Sequence, residues 1–217
     1  MPEERVTPYI WVSWLTKLMV GESMCEWAVW FKAWNESWSY KKMPSDFDST
    51  TWKVSHTALL NRIRGDLESE GKTVFVENQN KFTLRGKTAS LGGKPDIITS
   101  MDNLGTIYDV KTGQPNPAHN VQLMIYMYAI PKAMKQYAGV SFKGKVIYED
   151  HEVVIPSDTI GSTFIDNLAS LIRRIASNTP AKKVPSIIDC GFCNLTSADC
   201  PEKIQDIVPE FGSTKDF

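Results

Sequence analysis

Several things are missing from this sequence, and each absence excludes something. No apolar run approaches the ~20 residues that a bilayer-crossing helix needs. The charged start at residues 1–5 leads into no signal-peptide pattern, so the chain is expected to be intracellular, in the cytoplasm and away from membranes. Charge of one sign is also missing. The formal net charge of −1 gives no polyelectrolyte attraction to nucleic acid, and any such contact must come from a local patch. There is no internal repeat and no low-complexity segment. Cysteine is scarce, and its four positions are uneven: Cys25 stands alone, while Cys190, Cys193 and Cys200 crowd together near the end. In a reducing compartment that spacing favours metal or redox chemistry over disulfides.

What remains is an ordinary globular composition in 217 residues, enough for one domain with a real core. Residues 9–38 read as two helices parted at Gly21. Trp27, Trp30, Trp34 and Trp38 form one stripe on the second, either a core face or a platform for stacking unpaired bases. Residues 41–50 form a polar connector. A helix is expected over 51–70, ended by Gly71, with Leu59, Leu60, Ile63 and Leu67 inward and His56 on the same side. Short strands follow, with 72–77 and 81–85 as a hairpin around Asn78-Gln79-Asn80, then strands over 90–99 and 106–111. A helix over 118–134, broken or ended near Pro131, precedes a strand region at 145–155 and a last helix over 157–177. The order suggests an α/β core, a small mixed sheet flanked by helices.

The chemistry concentrates at residues 93–126. Asp96 closes Gly93-Lys94-Pro95-Asp96; Asp109 and Lys111 then share one face of the next strand, because strand side chains alternate. Two acids and an amine on one face of an otherwise buried run suit a phosphodiesterase site. Hard cations such as Mg²⁺ or Mn²⁺ take oxygen ligands, here Asp96, Asp109 and the Val110 carbonyl. Lys111 can orient or deprotonate water and balance charge on the phosphate. Asp-x-Lys alone reads better as a structural ion pair on a sheet edge, since the tripeptide is common by chance. Glu77, at a strand end, is a weaker candidate.

Taken together the segments resemble the PD-(D/E)XK nuclease superfamily, and within it the RecB-like exonucleases. Gly93-Lys94-Pro95-Asp96 is similar to that family's Gly-x-x-Asp motif. Asp109-Val110-Lys111-Thr112 is similar to its Asp-x-Lys-Thr motif, and Gln122-Leu123-Met124-Ile125-Tyr126 to its Gln-x-x-x-Tyr motif. His56 falls where the family places a metal-binding histidine. The resemblance implies a restriction-endonuclease-like core, with His56, Asp96 and Asp109 on the metal and Lys111 catalytic. It further implies that Gln122 and Tyr126, one helical turn apart, steer the strand or support Lys111.

The spacing Cys190-x-x-Cys193 and Cys200-Pro201, completed by Cys25, allows a zinc site or an iron–sulfur cluster. CRISPR-associated exonucleases and the nuclease domain of AddB-type helicase–nucleases have one cysteine before the core and three after it. Resemblance to that branch implies a [4Fe–4S] cluster, ahead of [2Fe–2S] or zinc. Cys25 lies 165 positions before Cys190, so such a centre would close a very long loop.

The expectation is therefore a single nuclease domain over 1–217: a helical collar at 1–50, the core at 51–155, and a helix with a cysteine-rich tail at 156–217. Its reaction would be exonuclease cleavage of single-stranded DNA or DNA ends. Lys41-Lys42, Lys132, Lys135, Arg173-Arg174 and Lys182-Lys183 are available for phosphates, or are plain solvated charge. The alternatives are a catalytically silent nucleic-acid-binding scaffold, or an end-trimming subunit with an integrase or helicase partner.

Overall fold

The computed structural model describes residues 2–44 and 48–204. The connector expected over 41–50 therefore lies partly outside the described residues, at 45–47, as does the tail beyond 204. Among the described residues no helix is long and apolar enough to cross a membrane.

The elements run β1 (Tyr9–Trp11), α1 (Val12–Met19), α2 (Glu26–Trp34), α3 (Ser49–Ser69), β2 (Val74–Val76), β3 (Phe82–Arg85), β4 (Ser90–Gly93), β5 (Ile97–Met101), β6 (Leu104–Val110), α4 (Pro117–Ala133), β7 (Ser141–Ile147), β8 (Glu152–Ile155), α5 (Ser162–Ile175) and α6 (Ile187–Gly191). The larger sheet has the order β2-β5-β6-β7-β8, antiparallel except for the parallel β6–β7 pair. A smaller sheet has the order β1-β4-β3.

Alternation along β6 sorts the core. Ile107 joins the cluster packed by α1, α4 and α5 on one side, with Leu123, Ile130 and Leu171. Tyr108 and Val110 join Leu59, Leu60 and Leu67 of α3 on the other. Strand side chains change face at every step, so Asp109 sits on the α4 side.

Several expectations need correction. The hairpin over 72–85 does not form: β2 pairs with β5 and β3 with β4, in different sheets. A 3₁₀ turn at Glu77–Asn80 separates them, and buried Asn80 anchors it by donating to the carbonyls of Phe75 and Pro95 at 2.8 and 3.3 Å. The strand expected over 90–99 is two strands in two sheets, interrupted at 94–96. Residues 9–11 pair with the glycine-containing β4 and are not helical.

The tryptophan stripe also changes. α2 stops at Trp34 because Asn35 turns extended and its side chain donates to the Phe31 carbonyl at 2.8 Å. Trp38 lies beyond the helix. Trp27 is buried, and the indole N–H groups of Trp30 and Trp34 donate to the carbonyls of Ser177 and Ile175 at 2.8 and 3.1 Å. Trp30 and Trp34 thus tie α2 to the end of α5, while Trp27 packs with Phe31, Tyr40 and Leu195, a structural use for all three rings. Pro131 lies inside α4, which continues to Ala133. The last long helix begins at Ser162, after a 3₁₀ turn at Ser157–Thr159.

Candidate active site

Asp96 stands where the chain leaves the small sheet and enters β5 of the large one. Its Oδ2 accepts the Val110 N–H at 2.7 Å, so the motif acid is pinned to the end of the neighbouring strand. On α3, His56 reaches in from the other side, with Nε2 3.5 Å from the same oxygen. That contact, against the opposing effect of burial, raises the His56 pKa. Trp52, one turn earlier on α3, packs its ring against the imidazole at 4.9 Å between centroids.

Asp109 is 2% exposed. Burial pushes its pKa up to about 6, although the Lys111 ammonium opposes the shift. Lys111 follows the last residue of β6 and extends the ladder, its N–H donating to the Ile147 carbonyl at 2.8 Å. Its Nζ lies 2.6 Å from Asp109 Oδ2. Burial disfavours that charge, but Asp109 and Asp96 outweigh it and the Lys111 pKa is raised. The amine therefore stays an ammonium, which suits charge neutralisation and water orientation better than proton abstraction.

α4 supplies the rest. Asn116 caps it through its side chain and Pro117 opens it, so the first turn is fixed beside the end of β6. Gln122 Nε2 donates to Asp109 Oδ1 at 3.3 Å and to the Tyr126 hydroxyl at 3.1 Å, while its Oε1 accepts from Lys111 at 3.4 Å. One amide thus reads both members of the Asp-x-Lys pair. Tyr126 is buried, with its pKa raised by that burial, and its hydroxyl also meets the Lys94 backbone N–H. The motif tyrosine is thereby tied to the Gly-x-x-Asp loop.

His56, Asp96, Val110, Asp109, Lys111, Gln122 and Tyr126 thus lie in one hydrogen-bonded neighbourhood. Glu77 enters differently: its backbone, at the unusual φ of +41°, donates to the Asp96 carbonyl at 2.9 Å, and among the described residues its carboxylate makes no hydrogen bond or ion pair. Two further residues escaped sequence reasoning. His119 Nδ1 lies 2.9 Å from the Tyr148 hydroxyl, and buried Tyr148 stacks on His151 at 4.6 Å. Burial, aided by Lys111, lowers the His119 pKa to about 4. Helical spacing was the available signal, since His119 is one turn before Gln122 on the same face.

Among the described residues no three His, Cys, Asp or Glu side chains already stand as a metal-ligand group. The donor chemistry nevertheless fits a hard cation. Asp109 Oδ2 is buried without a hydrogen-bond partner, because Lys111 meets it off the hydrogen-bonding direction despite the short contact. The Lys111 ammonium at 2.6 Å offsets part of the cost of burying this oxygen, and a bound metal cation would use its remaining lone pair.

The four cysteines, all free thiols, line one cavity of about 770 Å³. Cys25, Cys193 and Cys200 pack against Trp27, Phe31, Tyr40 and Leu195. The Asp189 carboxylate accepts from the Ser23 hydroxyl at 2.5 Å and from the backbone N–H groups of Met24 and Cys25 at 3.1 and 3.4 Å. The collar and the cysteine-rich tail are therefore already joined by side-chain contacts, and the donor set fits a thiolate-bound metal centre. Of the basic residues offered for phosphates, Arg174 is taken by Glu26 at 2.7 Å, Lys183 by Glu202 at 3.1 Å, and Lys132 lies over the Tyr128 ring at 4.3 Å.

A PD-(D/E)XK nuclease superfamily model matches residues 19–200, and the chain belongs to that superfamily. Its members hydrolyse phosphodiester bonds, usually with divalent metals, and the helix-flanked mixed sheet fits their restriction-endonuclease-like fold. The chain is similar to a solved structure titled "Crystal structure of SSO0001", with 17% identity, a TM-score of 0.46, and 94% of this chain and 90% of that chain covered. Among curated proteins no sequence matches it.

Proposed function

We propose that this protein is a Mg²⁺- or Mn²⁺-dependent deoxyribonuclease acting on single-stranded DNA or DNA ends. The observation that carries the reading is Asp109: a buried carboxylate with the Lys111 ammonium 2.6 Å from its Oδ2 and a second acid, Asp96, close by. His56, Asp96, Asp109 and the Val110 carbonyl would hold the cation, which when bound supplies an activated water and neutralises phosphate charge. Lys111 balances charge on the transferring phosphate and orients the attacking water. Gln122 holds Lys111 and Asp109 in register, and Tyr126 holds Gln122. Trp52 keeps the His56 ring in place.

The cysteines would hold a structural [4Fe–4S] cluster, with [2Fe–2S] or zinc as substitutes. This part rests on four thiols lining one cavity between the collar and the tail. An end-trimming role beside an integrase or a helicase uses the same chemistry. Incubation of end-labelled single-stranded DNA with Mn²⁺, beside an Asp109→Ala control, tests the proposal. Metal-dependent cutting that Asp109→Ala abolishes is expected. No cutting by the wild type with either metal would overturn it in favour of a silent binding scaffold.

A further inference from the structure

Four lysines line the four-cysteine cavity, and three are accounted for. Lys17 is exposed to solvent, over the Phe192 ring at 4.3 Å. Lys183 pairs with Glu202, and Lys203 donates to the carbonyls of Cys190 and Cys193 at 3.0 and 2.5 Å. The fourth, Lys32, is on α2 seven positions after Cys25, two turns on and therefore on the same helix face. Its ammonium lies over the Trp14 ring at 5.1 Å, and among the described residues it makes no salt bridge.

The carboxylates around the cavity are engaged elsewhere. Asp189 accepts from Ser23 and Ser186, Glu202 holds Lys183, and Glu22 accepts from Asn116. A half-buried ammonium without an anion carries a desolvation cost, and ring contact recovers only part of it. Burial lowers the Lys32 pKa, and the groups that push it back up are Cys193 and Cys25. The anionic partner that this lysine lacks is the one the thiols become when they bind metal.

We propose that Lys32 is the counter-charge of a thiolate-bound metal centre in this cavity, holding its net negative charge and favouring its more reduced state. This rests on the cysteine-centre reading above. Four thiolates around a [4Fe–4S] core leave a net negative charge, and one-electron reduction adds another, so a fixed cation alongside stabilises the reduced form more. Lys32 is a positioning and tuning residue that ligates nothing.

The test uses the purified full chain. Iron, sulfide and zinc content and the visible spectrum of the wild type are measured first, and then the same is done for Lys32→Met, Lys32→Gln and Lys32→Arg. If iron and sulfide are present, a dithionite titration followed by absorbance should show the neutral variants shifted about tenfold toward the oxidised form. That is about 59 mV for a one-electron couple. Lys32→Arg should stay near wild type. If zinc is present instead, neutral variants should lose it to a chelator about tenfold faster, again with Arg near wild type. A wild type holding neither metal overturns the cysteine-centre reading and this proposal with it. A metal-loaded wild type whose neutral variants match it in potential or release rate overturns the Lys32 assignment alone. Neutral variants and Lys32→Arg all losing metal equally would also overturn it, as a packing effect.

Discussion

One methyl group at Gly93 should disturb the candidate active site through Tyr126 and Phe82. A Cβ at Gly93 would lie 2.6 Å from Cε1 of Tyr126, and 2.8 and 2.9 Å from Cε1 and Cζ of Phe82. Carbon contacts settle near 3.5–4.0 Å, so both rings must yield by about an ångström. Neither can yield freely. Both are 3% exposed, they meet edge to face at 6.0 Å, and the Tyr126 hydroxyl is held by Gln122 and the Lys94 N–H. Overpacking of this kind costs about 1–3 kcal/mol, or roughly 2–12 °C in Tm for a domain of this size. A displaced Tyr126 also releases Gln122, so Gly93→Ala should lower kcat by about tenfold or more, the scale of losing positioning at the reacting centre. The assays are thermal unfolding and the Mn²⁺-dependent cleavage of labelled single-stranded DNA. In a Tyr126→Ala background the added methyl should cost less, with a coupling energy of about 0.5–3 kcal/mol. A Gly93→Ala protein as stable and active as wild type would refute the reasoning. So would a stability cost unchanged in both the Tyr126→Ala and Phe82→Ala backgrounds.

Lys111→Met removes the one ammonium hydrogen-bonded within the site, so kcat should fall by about 10²–10³ with little change in KM; single-turnover cleavage with excess Mn²⁺ measures it. His119 gives a pH dependence of definite sign. Its folded pKa of about 4 lies below the ordinary 6.5, so the folded state binds fewer protons between those values. Stability is therefore fully present above about pH 6.5 and is lost as pH falls toward 4, by about 1 kcal/mol once solvent screening of the half-exposed ring is allowed for. Urea unfolding at pH 7 and 4.5 should show a smaller acid loss in His119→Gln than in wild type, and equal losses would contradict the burial of that imidazole.

The grouping of the candidate site residues was legible in the sequence where it depends on local spacing. Asp109 and Lys111 share a strand face through the two-residue period, and Gln122 and Tyr126 share a helix face through the near-four-residue period. The long helices carrying His56 and Gln122 were legible for the same reason, as was the switch of character at Gly71. Pairing was not. Nothing in residues 72–85 says that β2 and β3 belong to different sheets, because strand partners are chosen by long-range backbone hydrogen bonds and by the fit of Asn80 beneath the turn. The tryptophans of α2 read as either a core face or a stacking face, and the carbonyls at the end of α5 gave the N–H groups of Trp30 and Trp34 a structural use. Tertiary structure alone decided which oxygen of Asp109 faces the Lys111 ammonium, which tyrosine meets His119, and which lysine beside the thiols is half-buried with neither a carboxylate nor a carbonyl for its charge. Local periodicity determines which side chains can share a face, while burial, partner choice and the charge left uncompensated depend on what distant segments bring alongside.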